Sequence, residues 1–339
     1  MSINASPLCV ADSVLIAAIQ ARLAERGIRA RSVALDRSPS RYATSAALEN
    51  VTVTLDDGST RDLILKDMNP DRSPAALRRT KPPFVIDPRR ELSVYQTILM
   101  PRQIGAAVYG AGTSDDGTGW LLLERVAGVE LYQVGDLDGW VAAAAWLAAF
   151  HDSVHPLDQL RTSANLIEYT ADYYTQWLQR ALTFFRDDAP PSRFGRDGLH
   201  WLASHFDEVV ARVRAWPRTL IHGDYNASNV LVQRTRDGWA VCPIDWEMAA
   251  LGPGILDLAA ITSGNWSEPE RRKIIAGYVG ARGAAGPSLD ETADAVDYAQ
   301  IYLSVQWLGW FGRRRPPAEH SRDWLADALE RAARLQLGN

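Results

Sequence analysis

Two cysteines, Cys9 and Cys242, are all that 339 residues contain. They lie far apart, and Cys242 sits inside an apolar run. A disulfide framework and a cysteine-based zinc cluster are therefore excluded, and a reducing, cytoplasmic setting is expected. Long apolar runs are missing as well. The longest, "WVAAAAWLAAF" at 140–150, is too short and too rich in alanine to cross a bilayer. The first residues lack the basic start and apolar stretch of a secretory signal, so no membrane partner is expected. Positive charge is not in excess: 36 Lys+Arg face 41 Asp+Glu, a formal net charge of −5. With no RNA- or DNA-binding signature in addition, nucleic acid is excluded as the partner. Lysine itself is scarce. Of the 36 basic residues only Lys66, Lys81 and Lys273 are lysines, a bias that genome composition accounts for. It still leaves Lys66 conspicuous at the end of "RDLILKDM".

What is present reads as a globular protein, with 47% hydrophobic and 23% charged residues, long enough for one large domain or two ordinary ones. "DSVLIAAIQARLAERG" (12–27) has a polar start, spaced apolar residues and a closing glycine, the pattern of an amphipathic helix. Strand-like segments follow at 28–35, 47–55 and 61–68, the last two joined by the hairpin signal "DDGS". A helix is expected over 88–99, with Pro88 in its first turn, and two more strands within 105–128. Beyond about residue 126 the periodicity turns helical, over 141–150, 169–185, 199–215, 268–279, 289–311 and 321–337. A short hairpin, "NVLVQ" (229–233) and "WAVCPID" (239–245), interrupts it. The composition shift sets a boundary between domains 1–126 and 127–339.

Chemistry concentrates at "IHGDYNASNVLV" (221–232). It holds an Asp and an Asn five residues apart between apolar runs. A carboxylate can accept a proton or bind a cation, whereas an amide orients or coordinates, so two jobs share one loop. If the hairpin folds back, Asp224, Asn229 and Asp245 converge on one edge. That supplies one carboxylate to meet a hydroxyl and an amide–carboxylate pair of the oxygen type that suits Mg²⁺. The order matches that of a protein-kinase catalytic-loop Asp, the Asn beyond it and a metal-binding Asp after a strand. Lys66 on the third strand and Glu91 on the following helix stand where a kinase keeps its phosphate-binding lysine and that lysine's glutamate.

These features resemble the aminoglycoside phosphotransferase family, small-molecule kinases related to the protein kinases. The matching residues are "HGDYNASN" (222–229), "IDWE" (244–247), "GPGILDLA" (252–259), "AAFH" (148–151), "LLLERVAG" (121–128), Lys66 and Glu91. The resemblance implies an α+β, two-lobed protein-kinase-like fold, with a small antiparallel-sheet N-terminal lobe that binds nucleotide and a larger, mainly helical C-terminal lobe for catalysis and acceptor binding. It implies Asp224 as catalytic base or as the residue that orients the acceptor hydroxyl, Asn229 and Asp245 as Mg²⁺ ligands, and Lys66 on the α/β-phosphates, paired with Glu91. The backbone around Glu124 and Val126 would bind the adenine edge of ATP or GTP, with Leu123 lining the pocket. His222 and Asp257 would brace the catalytic loop, and His151 would be packed. The sequence departs from a protein kinase in its phosphate loop: "DRSPSRYATSAALEN" (36–50) has no glycine. Family members often use a serine-containing loop there, which makes Ser38, Ser40 and Arg41 the candidates.

The implied reaction is transfer of the γ-phosphoryl group to a hydroxyl of a sugar, an aminocyclitol or an aminoglycoside-like acceptor. Choline- or homoserine-type acceptors and a catalytically silent nucleotide-binding protein on the same fold stay open. A protein kinase is disfavoured by "HGD" in place of "HRD" and by the lack of an "APE" segment. Glu168, Asp172, Glu268, Asp294 and Asp297 are the carboxylates that a polycationic acceptor would need. Trp307 and Trp310 read first as core and second as a platform for a sugar ring or cation. Arg313–Arg315 reads as a solvated surface run. Oligomeric state is not assigned by sequence.

Overall fold

The first helix, α1 (Asp12–Glu25), ends as its closing glycine predicts. Gly27 (φ +76°) lets the chain turn so that Gly27 N–H donates to Ala24 and Ile28 N–H to Leu23, satisfying carbonyls at the helix end. The computed structural model describes residues 10–40, 46–72, 81–114, 117–154, 157–283, 286–312 and 322–338. Cys9, Arg41 and Arg313–Arg315 lie outside the described residues. The chain divides into two compact units. The first comprises Met1–Ala127, Thr162–Asn165 and Cys242–Glu247; the second comprises Gly128–Arg161, Leu166–Val241 and Met248–Asn339. The segment carrying Asp245 thus packs with the first unit, although most of the chain around it belongs to the second.

In the first unit, β1 (Val33–Pro39), β2 (Ala47–Leu55), β3 (Thr60–Asp67), β4 (Val108–Thr113) and β5 (Gly119–Glu124) form one antiparallel sheet. Its order is β1-β2-β3-β5-β4. β1 starts later than its sequence pattern indicates, because the segment after Gly27 is used to leave the helix: the Gln20 side-chain amide donates to the Ala30 carbonyl at 3.1 Å. Alternation along β3 decides what each side chain meets. Leu63 and Leu65 are buried with Leu15, Ile19 and Leu23 of α1 and with Val51, Val53 and Leu122. Lys66 has the opposite parity and faces the other side, directly across from Leu121, as Ile64 is from Leu123.

On that other side runs α2, which begins as Arg90–Val94, passes through a π turn at Tyr95–Leu99 and ends at Met100–Arg102. Its sequence pattern stops before Pro101. Proline has no N–H and its ring crowds the carbonyl four residues earlier, and the ladder adapts by one wider turn, Met100 N–H donating to Tyr95. Such insertions are a recognised way for a helix to absorb a mismatch.

The second unit carries β6 (Val129–Glu130), the helices α3 (Leu137–Ser153) and most of α4 (Leu157–Ser163), β7 (Ile167–Glu168), then α5 (Ala171–Phe184), α6 (Gly195–Ser204) and α7 (Phe206–Arg214). The single helix expected over 199–215 is two. The His205 ring and the Ser204 hydroxyl both bond to the Trp201 carbonyl, each at 2.8 Å, competing with the backbone ladder where the break falls. Then come β8 (Arg218–Ile221), β9 (Val230–Thr235), β10 (Gly238–Pro243), β11 (Ala250–Pro253), α8 (Ile255–Ile261), α9 (Glu268–Arg282), α10 (Leu289–Phe311) and α11 (Trp324–Arg334). β9 lies between β10 and β6, and β11 between β7 and β8. α10 is buried along most of its length, with α5, α7, α8 and α11 packed on it. Among the described residues no helix is long and apolar enough to cross a membrane.

Candidate active site

Three distant stretches of the first unit meet at the Lys66 ammonium. Its Nζ lies 2.5 Å from Glu91 Oε2 and 2.6 Å from Asp245 Oδ1. β3 supplies the lysine, α2 the glutamate, and the turn after β10 the aspartate. Asp245 has φ +65°, a left-handed backbone that costs a non-glycine residue about 1–3 kcal/mol and that concentrates at functional turns. Burial alone would lower the Lys66 pKa, but Asp245, Glu91 and Glu247 outweigh it and hold the ammonium charged. Burial pushes the Glu91 carboxyl up to about 7, and the neighbouring carboxylates Asp245 and Glu247 add to the rise while Lys66 opposes it. Glu91 Oε1 is buried without a hydrogen-bond partner.

Glu247, two residues past Asp245, is itself engaged. Lys81 Nζ reaches its two carboxylate oxygens at 2.7 and 2.6 Å. Arg90, beside Glu91, donates from Nη1 to the Glu247 and Val85 carbonyls and from Nε to the Asn165 carbonyl, each at 2.8 Å. Sequence reasoning missed Lys81, Arg90 and Glu247. Lysine scarcity was a signal for Lys81, since two of the three lysines converge here.

In the second unit, residues 222–229 connect β8 to β9. Asp224 is oriented by two amides: Asn226 Nδ2 donates to Oδ1, and Asn229 Nδ2 donates at 2.9 Å to Oδ2 and to the Asp224 carbonyl. Asn226 was not singled out by sequence, although it stands in the quoted motif. Behind the loop, Asp257 accepts from the His222 backbone N–H at 2.7 Å and from the Gly223 N–H at 3.0 Å. His151 Nε2 lies 3.3 Å from the same carboxylate, and its Nδ1 is 3.0 Å from the Tyr278 hydroxyl. His222 Nδ1 accepts from the Asp224 N–H at 3.3 Å. Gly223 is required by geometry: its φ is +78°, and a Cβ would lie 2.1 Å from the Met248 carbonyl oxygen.

The remaining sequence candidates are placed differently. Ser38 lies within β1, opposite Asn50, rather than in a loop. Ser40 follows the strand and donates its N–H to Leu48 at 2.9 Å. Glu124 ends β5 with its N–H bonded to Ala107 at 2.8 Å, so only its carbonyl can face an adenine edge. Val126 sits just beyond, half-buried, and Leu123 shares the sheet face of Lys66. Trp310 stacks on Trp177 at 5.6 Å, and Trp307 on Phe311 and Trp324 at 5.4 and 5.6 Å; these rings pack against other aromatic side chains. Glu168 is paired by Arg161 and Arg218, and Glu268 and Asp297 by Arg271 and Arg334.

A divalent cation can be tested against these groups. Among the described residues no cluster of three or more His, Cys, Asp or Glu forms a ready-made cage. Mg²⁺ does not ask for one, since it takes one or two carboxylates and completes its shell with phosphate and water. Glu91 and Asp245 both lie on the Lys66 ammonium and Glu247 on that of Lys81, so carboxylate oxygens of the type that Mg²⁺ takes gather here. Asn229 has its amide N–H groups turned to Asp224, which leaves its oxygen as the coordinating atom. The donor set fits.

Comparisons with known proteins bear on the fold and the family. The microcompartment-associated aminopropanol kinase matches at 15% identity and a TM-score of 0.59, over 89% of this chain and 91% of that one. Plasmodium vivax ethanolamine kinase matches at 14% and 0.58, over 89% and 82%. The GDP complex of aminoglycoside 2'-phosphotransferase-IIIa matches at 16% and 0.55, over 93% and 95%. At such identities these structures establish the fold, an α+β protein-kinase-like one. The family model of the phosphotransferase enzyme family covers residues 43–293, from the second strand through the candidate catalytic loop and into α10. The chain belongs to the phosphotransferase enzyme family, and is a phosphotransferase of the small-molecule kinase type.

Proposed function

We propose that the chain transfers the γ-phosphoryl group of ATP, or of GTP, to a hydroxyl of a sugar-like, aminocyclitol or small amino-alcohol acceptor. The observation that carries the reading is the meeting of Lys66, Glu91 and Asp245 on one nitrogen. Phosphoryl transfer needs little covalent help and consists of positioning and charge neutralisation. Residues 1–126 serve as the nucleotide-binding lobe, joined by the Asp245 segment, and most of 127–339 as the catalytic and acceptor-binding lobe. Lys66 contacts the α/β-phosphates, with Glu91 fixing its amine. Ser40 and Ser38 would be phosphate contacts, and the Glu124 carbonyl and Val126 backbone would meet the base. Asn229 and Asp245 would hold Mg²⁺, which when bound neutralises charge on the phosphate oxygens. Asp224, aimed by Asn226 and Asn229, accepts the acceptor's hydroxyl proton as the oxygen attacks phosphorus.

Charge bookkeeping narrows the acceptor. A polycation such as an aminoglycoside needs free carboxylates, and Glu168, Glu268 and Asp297 are already engaged by arginines. Asp172 and Asp294 stand exposed on their helices. With three of the five candidates engaged, a neutral or singly charged acceptor is the proposed class, and it includes the ethanolamine and aminopropanol named for the structural neighbours. The test is mass spectrometry of a pooled panel incubated with Mg·ATP: neutral sugars, aminocyclitols, choline, ethanolamine, homoserine and aminoglycosides. A product heavier by one phosphoryl group among the neutral or singly charged members supports the reading. Phosphorylation confined to the polycations overturns the acceptor class, and nucleotide binding without any product favours a silent binder.

A further inference from the structure

The left-handed backbone of Asp245 needs something to hold it. Asp245 sits at φ +65°, its side chain 21% exposed, at the end of a strand rather than inside one. Two residues on, Glu247 is gripped twice. Lys81 takes both oxygens of its carboxylate at 2.7 and 2.6 Å, and Arg90 takes its main-chain carbonyl at 2.8 Å. Arg90 is 5% exposed and is anchored by the Val85 and Asn165 carbonyls as well, so its fork has little freedom. Trp246 between them is fully buried, and its indole N–H donates to the Pro243 carbonyl at 3.3 Å. The segment is fixed on either side of the aspartate.

Resting on the phosphotransferase reading, we propose that Lys81 and Arg90 are positioning residues that, through Glu247, hold the Asp245 carboxylate ready for the metal–nucleotide. The lysine is the informative one. In a chain where 33 of 36 basic residues are arginine, a lysine here supplies a compact charge that both Glu247 oxygens can share, where a planar fork would demand its own geometry. The third lysine, Lys273, pairs with Asp138 on the surface, its side chain 56% exposed. Arg90 adds a link: as the neighbour of Glu91 it ties the helix that orients Lys66 to the segment that bears Asp245. Groups that orient a metal ligand without touching the metal typically govern ten- to hundredfold in affinity.

The test is nucleotide binding by calorimetry to the full chain, with ADP alone and with ADP plus Mg²⁺, in the wild type, Lys81→Met and Lys81→Arg. In Lys81→Met, the gain in ADP affinity conferred by Mg²⁺ should fall by about tenfold or more, while the affinity for ADP alone stays within about twofold. Lys81→Arg should recover part of that gain. A merely structural lysine would weaken both measurements together, or neither. If Lys81→Met keeps the wild-type Mg²⁺ gain, the positioning role is overturned. A wild type that shows no Mg²⁺ gain overturns both this proposal and the function beneath it, which separates the two failures. Arg90→Met follows the same readout, but is more exposed to misfolding, so Lys81 decides.

Discussion

Lys66 stands between two carboxylates, and one of them, Glu91, is only 3% exposed. Replacing the lysine by methionine removes the counter-ion of a carboxyl that burial already disposes to take up a proton, so the loss reaches the about 3–5 kcal/mol of a broken buried pair only at a pH that keeps Glu91 ionised. Urea denaturation of Lys66→Met at such a pH should show a loss of that size. Adding Glu91→Gln should recover part of it, because the stranded charge is then gone. A single variant as stable as the wild type would mean that the pair is not formed in solution. Cys242 offers an independent check of the same region. Burial, aided by Glu124, pushes its thiol up to about 12. Raising a thiol pKa favours the protonated, unreactive form. At pH 8 its alkylation, followed on the Cys242 peptide, should be on the order of a thousandfold slower than that of an ordinary thiol. The rate should climb with pH well beyond 9, and unfolding in urea should restore it to the ordinary value.

The loop from β8 to β9 has its demands at the level of the element. Gly223 is held by the Asp257 carboxylate through its N–H at 3.0 Å, and its φ of +78° leaves a Cβ nowhere to go. Gly223→Ala should destabilise by more than about 1 kcal/mol, the scale set when alanine is forced into such a conformation, and thermal melting measures it. An unchanged melting temperature would show that the loop can move away from Met248. Element boundaries were also where the sequence was least informative. α1 and β2 follow their periodicity closely, because one face of each is buried and the pattern records that face; α10, buried nearly all round, is marked instead by its capping serine and its length. The start of β1, the split at Ser204–His205 and the π turn before Pro101 depend on single side-chain-to-backbone bonds or on a missing N–H. No periodicity carries those.

Across the whole molecule, the legible part of the site is the part whose order along the chain has meaning. Lys66 and Asp245 are 179 positions apart, yet each was found because kinase chemistry needs a lysine, a glutamate, an aspartate and an asparagine in that sequence. Lys81 and Glu247, 166 positions apart, carry no such order. Their pairing exists only once β3, α2 and the Asp245 turn have packed. Asn226 was hidden differently, as a second amide beside a more conspicuous one. The acidic candidates for binding an acceptor were least legible in sequence, because three of the five, Glu168, Glu268 and Asp297, are paired with arginines distant in the chain, which spacing alone does not show.

Phosphoryl transfer with Asp224 taking the acceptor proton can be followed by ³¹P NMR of the enzyme with Mg·ATP and the acceptor pool. The γ-phosphorus signal should decline as a phosphomonoester signal grows. In Asp224→Asn, that growth should slow by about 10²–10⁴-fold, with melting temperature and Mg·ATP affinity near those of the wild type. Phosphomonoester formation at the wild-type rate in Asp224→Asn would contradict that role of Asp224.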